Sequence, residues 1–238
     1  MYVAKTDSTN STLSRMLQEQ ELPDGFTLYT YEQTQGRGQQ GNHWESEPAK
    51  NLLMSTLIRP KDLPIEKNFL LSEVVALSVK AVLDTHCEHI SVKWPNDIYW
   101  KDKKIAGILI ENTWMGAYVN TSIVGIGLNL NQTQFMSDAP NPISLKQITG
   151  KNYQQEEILA TLLHQIQLHR EALINDPNYI QEAYHKALYR KDGFHIYEDK
   201  EGRFSAQIIG VKPDGQLFLR TQKGDERAYY FKEVKIVP

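Results

Sequence analysis

The stretch KWPNDIYWKDKKIAGILIE, residues 93–111, decides how the rest of the chain is read. Its second half, AGILIE, is a run of β-favouring apolar residues of strand length, and the polar turn KDKK stands directly before it. A second short strand, ISVKW, leads into it from residue 90. Lys93, Asn96, Asp97 and Lys104 are thereby kept close together. A lysine in a KDKK run is ordinarily a solvated turn residue, and Lys103 is read that way. Lys104 differs because it abuts the buried strand, and Gly107 within that strand allows a close backbone approach.

Upstream, GRGQQGNHW (residues 36–44) hangs between two further strands, FTLYTY at 26–31 and LLMSTLI at 52–58. Glycines let backbone N–H groups come close to an anion, and Arg37 adds a cation, which suits polyphosphate. Placed beside Lys93, Asn96, Asp97 and Lys104, the loop provides what a carboxylate and an ATP phosphate need in order to react, as in forming an adenylate. The loop is polar and has little to bury, so it is expected to be mobile when empty and ordered over ligand.

Working outward, Asp7 and Ser8 are N-cap residues for a short helix from about Thr9, with Leu13, Met16 and Leu17 on one face. Leu70, Val74, Leu77 and Ala81 recur at helical spacing within 66–84, and Leu159, Leu162, Leu163 and Ile166 do so within 155–173. A strand is expected at YVNTSIVGIGLNL and a short helix at 179–188. Beyond Arg190 helical periodicity stops. FSAQIIGV, QLFLRT and RAYYFKEVKIV are separated by the turn sequences KPDG and QKGDE, the pattern of a small antiparallel barrel. The expected division is a catalytic domain over 1–189 and a small domain over 190–238.

At 238 residues the chain can bury a sizeable core. A net charge of −3 gives no general attraction to nucleic acid. The single cysteine, Cys87, can form no internal disulfide and reads as cytoplasmic usage. No signal peptide or membrane-length apolar run is present, so no membrane partner is expected. No His/Cys metal cluster is expected; His86 and His89 beside Cys87 read as an exposed helix end.

GRGQQGNHW, the following NLLMS, KWPND, KKIAGILIE, GIGLN and the β-rich tail, in this order, resemble a biotin–protein ligase, and the likeness runs along essentially the whole chain. The resemblance implies an α/β (α+β) fold: a mixed-sheet catalytic domain related to the class II aminoacyl-tRNA synthetase core, followed by an SH3-like domain. It also implies ATP and biotin as substrates, Mg²⁺ accompanying ATP, and a biotin carboxyl carrier protein or domain as partner. A homodimer through sheet edges is a further implication. The DSTN motif starts at Asp7, which leaves no room ahead of it for the DNA-binding domain that some relatives carry, so no nucleic-acid partner is expected. A lipoate–protein ligase shares the fold and the adenylation, but its RRxxGGG signature is absent here.

Residue roles follow from the same resemblance. Ser8, Thr9, Asn10 and Gln33 match biotin-contacting positions, where short hydroxyl and amide groups suit a urea. Arg37, Gly38, Gln39 and Gly107 complete the biotin side. Lys104 and Arg37 match the catalytic cations, and Arg37, Trp44, Asn96 and Asn129 the nucleotide side. Asp97 is given a nucleotide, metal or loop-positioning role. Lys93 is left between site electrostatics and a structural ion pair. Most relatives carry a second arginine where this chain has Gln39, which removes a permanent charge and a bidentate phosphate contact.

Overall fold

A computed structural model describes residues 1–137 and 141–237, apart from the side chain of Gln40. Seven strands form one sheet: β1 (Tyr2–Thr6), β2 (Thr27–Gln33), β3 (Leu52–Ile58), β4 (Ile90–Lys93), β5 (Asp97–Trp100), β6 (Lys103–Met115) and β7 (Tyr118–Leu128). Their order across the sheet is β1-β2-β3-β7-β6-β5-β4. Only β1 and β2 run parallel, which makes the sheet mixed.

Strand alternation divides the two faces of this sheet between two tasks. On one face, Leu52 and Met54 of β3, Ile108 of β6, and Val124, Ile126 and Leu128 of β7 enter the main core. There they meet α2 (Phe69–Asp84), α4 (Gln155–Asn175) and α5 (Pro177–Ala187), the last started by Asp176, whose carboxylate accepts from the Asn178 and Tyr179 N–H groups. On the other face lies α1 (Thr9–Glu19), packed through Leu13 on Leu57 and Ile123. Along that second face β6 and β7 carry Gly107, Gly125 and Gly127, with Gly107 directly opposite Gly127 and Ser55 opposite Gly125. A patch of bare backbone results.

The tail forms a second sheet from β8 (His195–Asp199), β9 (Gly202–Val211), β10 (Leu217–Thr221), β11 (Glu226–Tyr229) and β12 (Lys235–Ile236), in the order β11-β10-β9-β8-β12 and antiparallel throughout. Five antiparallel strands agree with an SH3-like domain. Among the described residues the end strands β11 and β12 do not pair, so no closed barrel forms. The KPDG turn is where sequence placed it: Gly215, at φ +92°, donates to Lys212 O. This turn also docks the tail, because Gly215 O accepts from Trp94 Nε1 at 2.9 Å and Pro213 O from Phe69 N at 3.0 Å. Tyr197, Leu217 and Leu219 join the same continuous core as the first sheet.

Four strands and helices escape the sequence reading: β1, β5, β8 and α3 (Leu145–Thr149). Strand β1 is an edge strand with mostly exposed side chains, so it carries little apolar alternation to read. Helix α3 is one turn long, held by a capping box between Ser144 and Gln147. Helix α2 starts at Phe69 rather than residue 66, because a 3-10 turn (Ile65–Lys67) precedes it.

Candidate active site

The glycine patch is the floor of a cleft of about 1040 Å³. All the residues singled out from sequence line it: Ser8, Thr9, Asn10, Gln33, Arg37, Gly38, Gln39, Trp44, Asn96, Lys104, Gly107 and Asn129, together with Lys93 and Asp97. Loop 36–45 forms its roof. Its outer wall comes from the tail, through Leu217, Phe231, Lys232, Val234, Lys235 and Ile236. The sequence of the tail shows no catalytic group and gives no sign of that wall.

At one end stands the start of α1. Ser8 is the N-cap residue, yet its side chain makes no capping bond. Asp7 takes over part of that work: its carboxylate accepts from Ser8 N at 2.8 Å and from both Arg15 guanidinium nitrogens at 2.8 Å. Arg15 holds that carboxyl well below the ordinary range. The Ser8 hydroxyl is thereby left to the cleft. Thr9 N donates to Gln33 Oε1 at 2.8 Å, and Ser55 Oγ donates to Asn10 Oδ1 at 2.6 Å while lying 2.7 Å from the Thr9 hydroxyl. Ser8, Thr9, Asn10 and Ser55 are all buried, so these polar groups form a fixed ring rather than a solvated helix end.

In the middle, Lys104 Nζ pairs with Asp97 Oδ1 at 2.6 Å and stands 5.7 Å from the centre of the Trp44 ring. Lys93 forms no ion pair within the described residues. Its ammonium donates to Tyr99 Oη at 2.9 Å, and burial pulls its pKa below the ordinary lysine value against the opposing pull of Asp97. Lys93 thus enters the cleft wall as a part-buried cation on a phenol rather than as a member of an ion pair.

Trp44 lies flat on the floor. A Cβ added at Gly107 would stand 2.9 Å from its ring, and one at Gly127 2.4 Å. Its indole Nε1 is buried without a partner. Trp44 N donates to Gly36 O at 2.9 Å and Gly38 N to Asn42 O at 2.7 Å, closing the loop into a small hairpin. Arg37 reaches back from that hairpin to Glu111 on β6, with Nη2 to Oε1 at 2.6 Å and Nη1 to Oε2 at 3.2 Å. Gln39 opens the 3-10 turn Gln39–Gly41 at the edge of the cleft.

At the far end Asn129 is buried. Its amide donates to Ile143 O at 3.1 Å, and its Oδ1 has no partner. Asn96 spends its amide on Ile108 O at 2.8 Å, leaving its carbonyl oxygen as the group it offers. Glu45, unremarked in the sequence, ties the roof to the next segment by accepting from Met136 N at 2.8 Å and Ser137 N at 2.7 Å. Burial works against its charge, but these donors hold its pKa below the ordinary value. Among the described residues no three His, Cys, Asp or Glu side chains cluster around a metal position.

The same architecture is found in known proteins. The profile of the Biotin/lipoate A/B protein ligase family matches residues 2–129, and the chain belongs to that family. Among relatives, the bifunctional ligase/repressor BirA of Escherichia coli strain K12 is 30% identical over 235 residues, spanning 90% of this chain and 72% of that one. The biotin–[acetyl-CoA-carboxylase] ligase of Paracoccus denitrificans is 32% identical over 167 residues, spanning 67% and 68% respectively. The structure is similar to that of the biotin protein ligase from Aquifex aeolicus in complex with biotin and ATP, with a TM-score of 0.81, 26% identity, and coverage of 100% of this chain and 98% of that one. No helix among the described residues is long and apolar enough to cross a membrane.

Proposed function

We propose that this chain is an ATP-dependent biotin–protein ligase. The biotin carboxylate attacks the α-phosphate of MgATP, giving biotinyl-5′-AMP and pyrophosphate. The ε-amine of one lysine on a biotin carboxyl carrier protein or domain then attacks the mixed anhydride and releases AMP. The observation that carries this reading is a single cleft with a ring of urea-sized donors and acceptors at one end, an unpartnered amide oxygen at the other, and Lys104 and Arg37 between.

Each end has its own chemistry. A urea offers two N–H donors and one carbonyl acceptor, which Ser8, Thr9, Asn10 and Gln33 answer with hydroxyl and amide groups in an otherwise apolar setting. Asn129 Oδ1 suits the exocyclic amine of adenine, because a buried acceptor gains most from a donor brought by the ligand. Lys104 stands where two anions must meet. Holding them in line and stabilising charge on the transferring phosphate is the main catalytic task, since the protein forms no covalent intermediate. Asp97 keeps Lys104 in place without entering the reaction. The Trp44 roof shields the anhydride from water. Residues 1–189 form the catalytic domain and 190–238 an SH3-like domain that walls the cleft.

Incubating the chain with biotin, MgATP and a biotinyl carrier domain, then measuring intact mass, tests the proposal. The carrier is expected to gain one biotin. A carrier that stays unmodified with biotin and gains lipoate instead overturns it in favour of lipoate ligation.

A further inference from the structure

Asn10 is the residue of the polar ring with the most hydrogen-bonding freedom, since an amide can present either its oxygen or its NH₂ group. Here its orientation is decided. Nδ2 donates to Glu111 Oε2 at 2.8 Å and to Leu109 O at 3.3 Å, and both of those oxygens can only accept. Oδ1 accepts from Ser55 Oγ at 2.6 Å and lies across Gly125, where an added Cβ would stand 2.3 Å away. Turning the amide over would set its oxygen against a carboxylate and a carbonyl at once. Asn10 therefore faces the cleft as an acceptor, the polarity that a ureido N–H requires. Gln33 is oriented the opposite way: its Oε1 is taken by Thr9 N, which leaves its NH₂ to donate.

The carboxylate that fixes Asn10 also holds Arg37 through two bonds, 2.6 and 3.2 Å long. Glu111 thus touches the ring-recognition end and the roof loop together, although it closes the KKIAGILIE motif and belongs to neither DSTN nor GRGQQGNHW. We propose that Glu111 is a positioning residue: its carboxylate locks Asn10 as the acceptor for a ureido N–H and tethers Arg37 over the same pocket, so one group sets both urea recognition and the position of the loop. This inference rests on the biotin reading above.

The test uses Glu111→Gln in the full chain. An amide at this position can offer NH₂ to Asn10, which frees Asn10 to turn over, and it can meet the guanidinium through one neutral oxygen only, without the charged two-oxygen contact. Calorimetric titration with biotin is expected to show a Kd raised about tenfold or more, the usual effect of one misdirected buried polar contact. In biotin-dependent ATP–pyrophosphate exchange, KM for biotin should rise likewise while KM for ATP moves less than about threefold. Hydrogen exchange over residues 36–44 should quicken, with little change in melting temperature. A merely structural role would lower the melting temperature and kcat without dividing the two KM values. Biotin Kd within about threefold of wild type, with unchanged exchange in the loop, overturns the proposal. If the Gln variant melts too low to assay, Glu111→Asp decides by the same thresholds, since it keeps the charge but is one methylene too short to hold both partners. Wild-type chain that neither binds biotin nor supports exchange overturns the biotin reading itself, an outcome distinct from a working wild type with an indifferent variant.

Discussion

The two faces of strands β6 and β7 differ more from each other than either does from the rest of the molecule. Ile108, Val124, Ile126 and Leu128 fill the helix-covered side with branched side chains, whereas Gly107, Gly125 and Gly127 leave the other side as bare backbone. One pleat builds both. Removing a side chain on the packed side opens a cavity, whereas adding one on the bare side collides with Trp44 or Asn10 in the cleft, so core packing and cleft shape occupy alternate residues of the same strand. Loss of the tail and substitutions on either face can break that division, with effects that run from global to slight.

The packed side runs unbroken into the tail, with Tyr197, Leu217 and Leu219 in the same core. Deleting residues 190–238 should uncover Trp94 and Phe69 and abolish cooperative thermal unfolding, measured by calorimetry. A truncated chain with the full-length melting temperature would mean the two sheets are energetically separate.

Glu73 is the exception on the packed side. It is buried, its Oε2 has no partner, and burial pushes its pKa up to about 8. A carboxyl that holds its proton more tightly folded than unfolded costs nothing below its unfolded pKa, near 4.5, and destabilises increasingly as pH rises from there to about 8. For every pH unit by which folding raises a carboxyl's pKa, keeping the group ionised costs about 1.4 kcal/mol. Glu73→Gln should therefore match wild type at pH 4, below that window, apart from a constant offset, and gain several kcal/mol on it by pH 8. Urea titrations at the two pH values measure this; a gap independent of pH would place the cost elsewhere.

Neighbouring residues give the sharpest contrast. Ile126→Ala should lose about 2–5 kcal/mol of stability with little change in KM for biotin. Gly125→Ala should bind biotin far more weakly, because the new methyl would meet Asn10 Oδ1, and displacing a side chain held by Ser55 and Glu111 should cost about 1–3 kcal/mol of stability. Melting curves and KM values for the pair decide it, and matching profiles would dissolve the distinction between the faces.

Much of this is legible in the sequence. Strand β3 runs over the seven residues expected, and every site residue named from sequence lines the one cleft. What cannot be read are facts of pairing. Gly127 stands out only once β6 and β7 set it opposite Gly107, and Ser55, Glu111 and Glu45 matter through partners 45, 101 and 91 residues away. The signal for Glu111 is its place two residues beyond Leu109 on the strand that carries Gly107. The tail's wall leaves no trace in sequence, because its apolar residues look alike whether they face a core or a cleft.

Two further effects concern the central lysine and the roof loop. Lys104→Ala should cost about 3–4 kcal/mol of transition-state stabilisation in the adenylation step, the scale of a lost electrostatic contact, without lowering the melting temperature. Pyrophosphate exchange measures it, and a loss within about threefold would remove Lys104 from the mechanism. Gln39→Arg should slow release of biotinyl-AMP, since a charge-assisted contact is worth about 1.5–3 kcal/mol and acts mainly on the off-rate. Stopped-flow dissociation would show equal rates if the absent charge is replaced elsewhere.

Trp44 has a consequence of a different kind. Its ring rests on two residues without side chains, and its indole N–H is buried with nothing to accept from it. Indole emission responds to what surrounds the ring and to whether that N–H finds an acceptor. A ligand entering the cleft alters both at once. The roof is thus an optical reporter built into the chain, and the part of the emission that Trp44→Phe removes follows the occupancy of the cleft against the background of Trp94, Trp100 and Trp114.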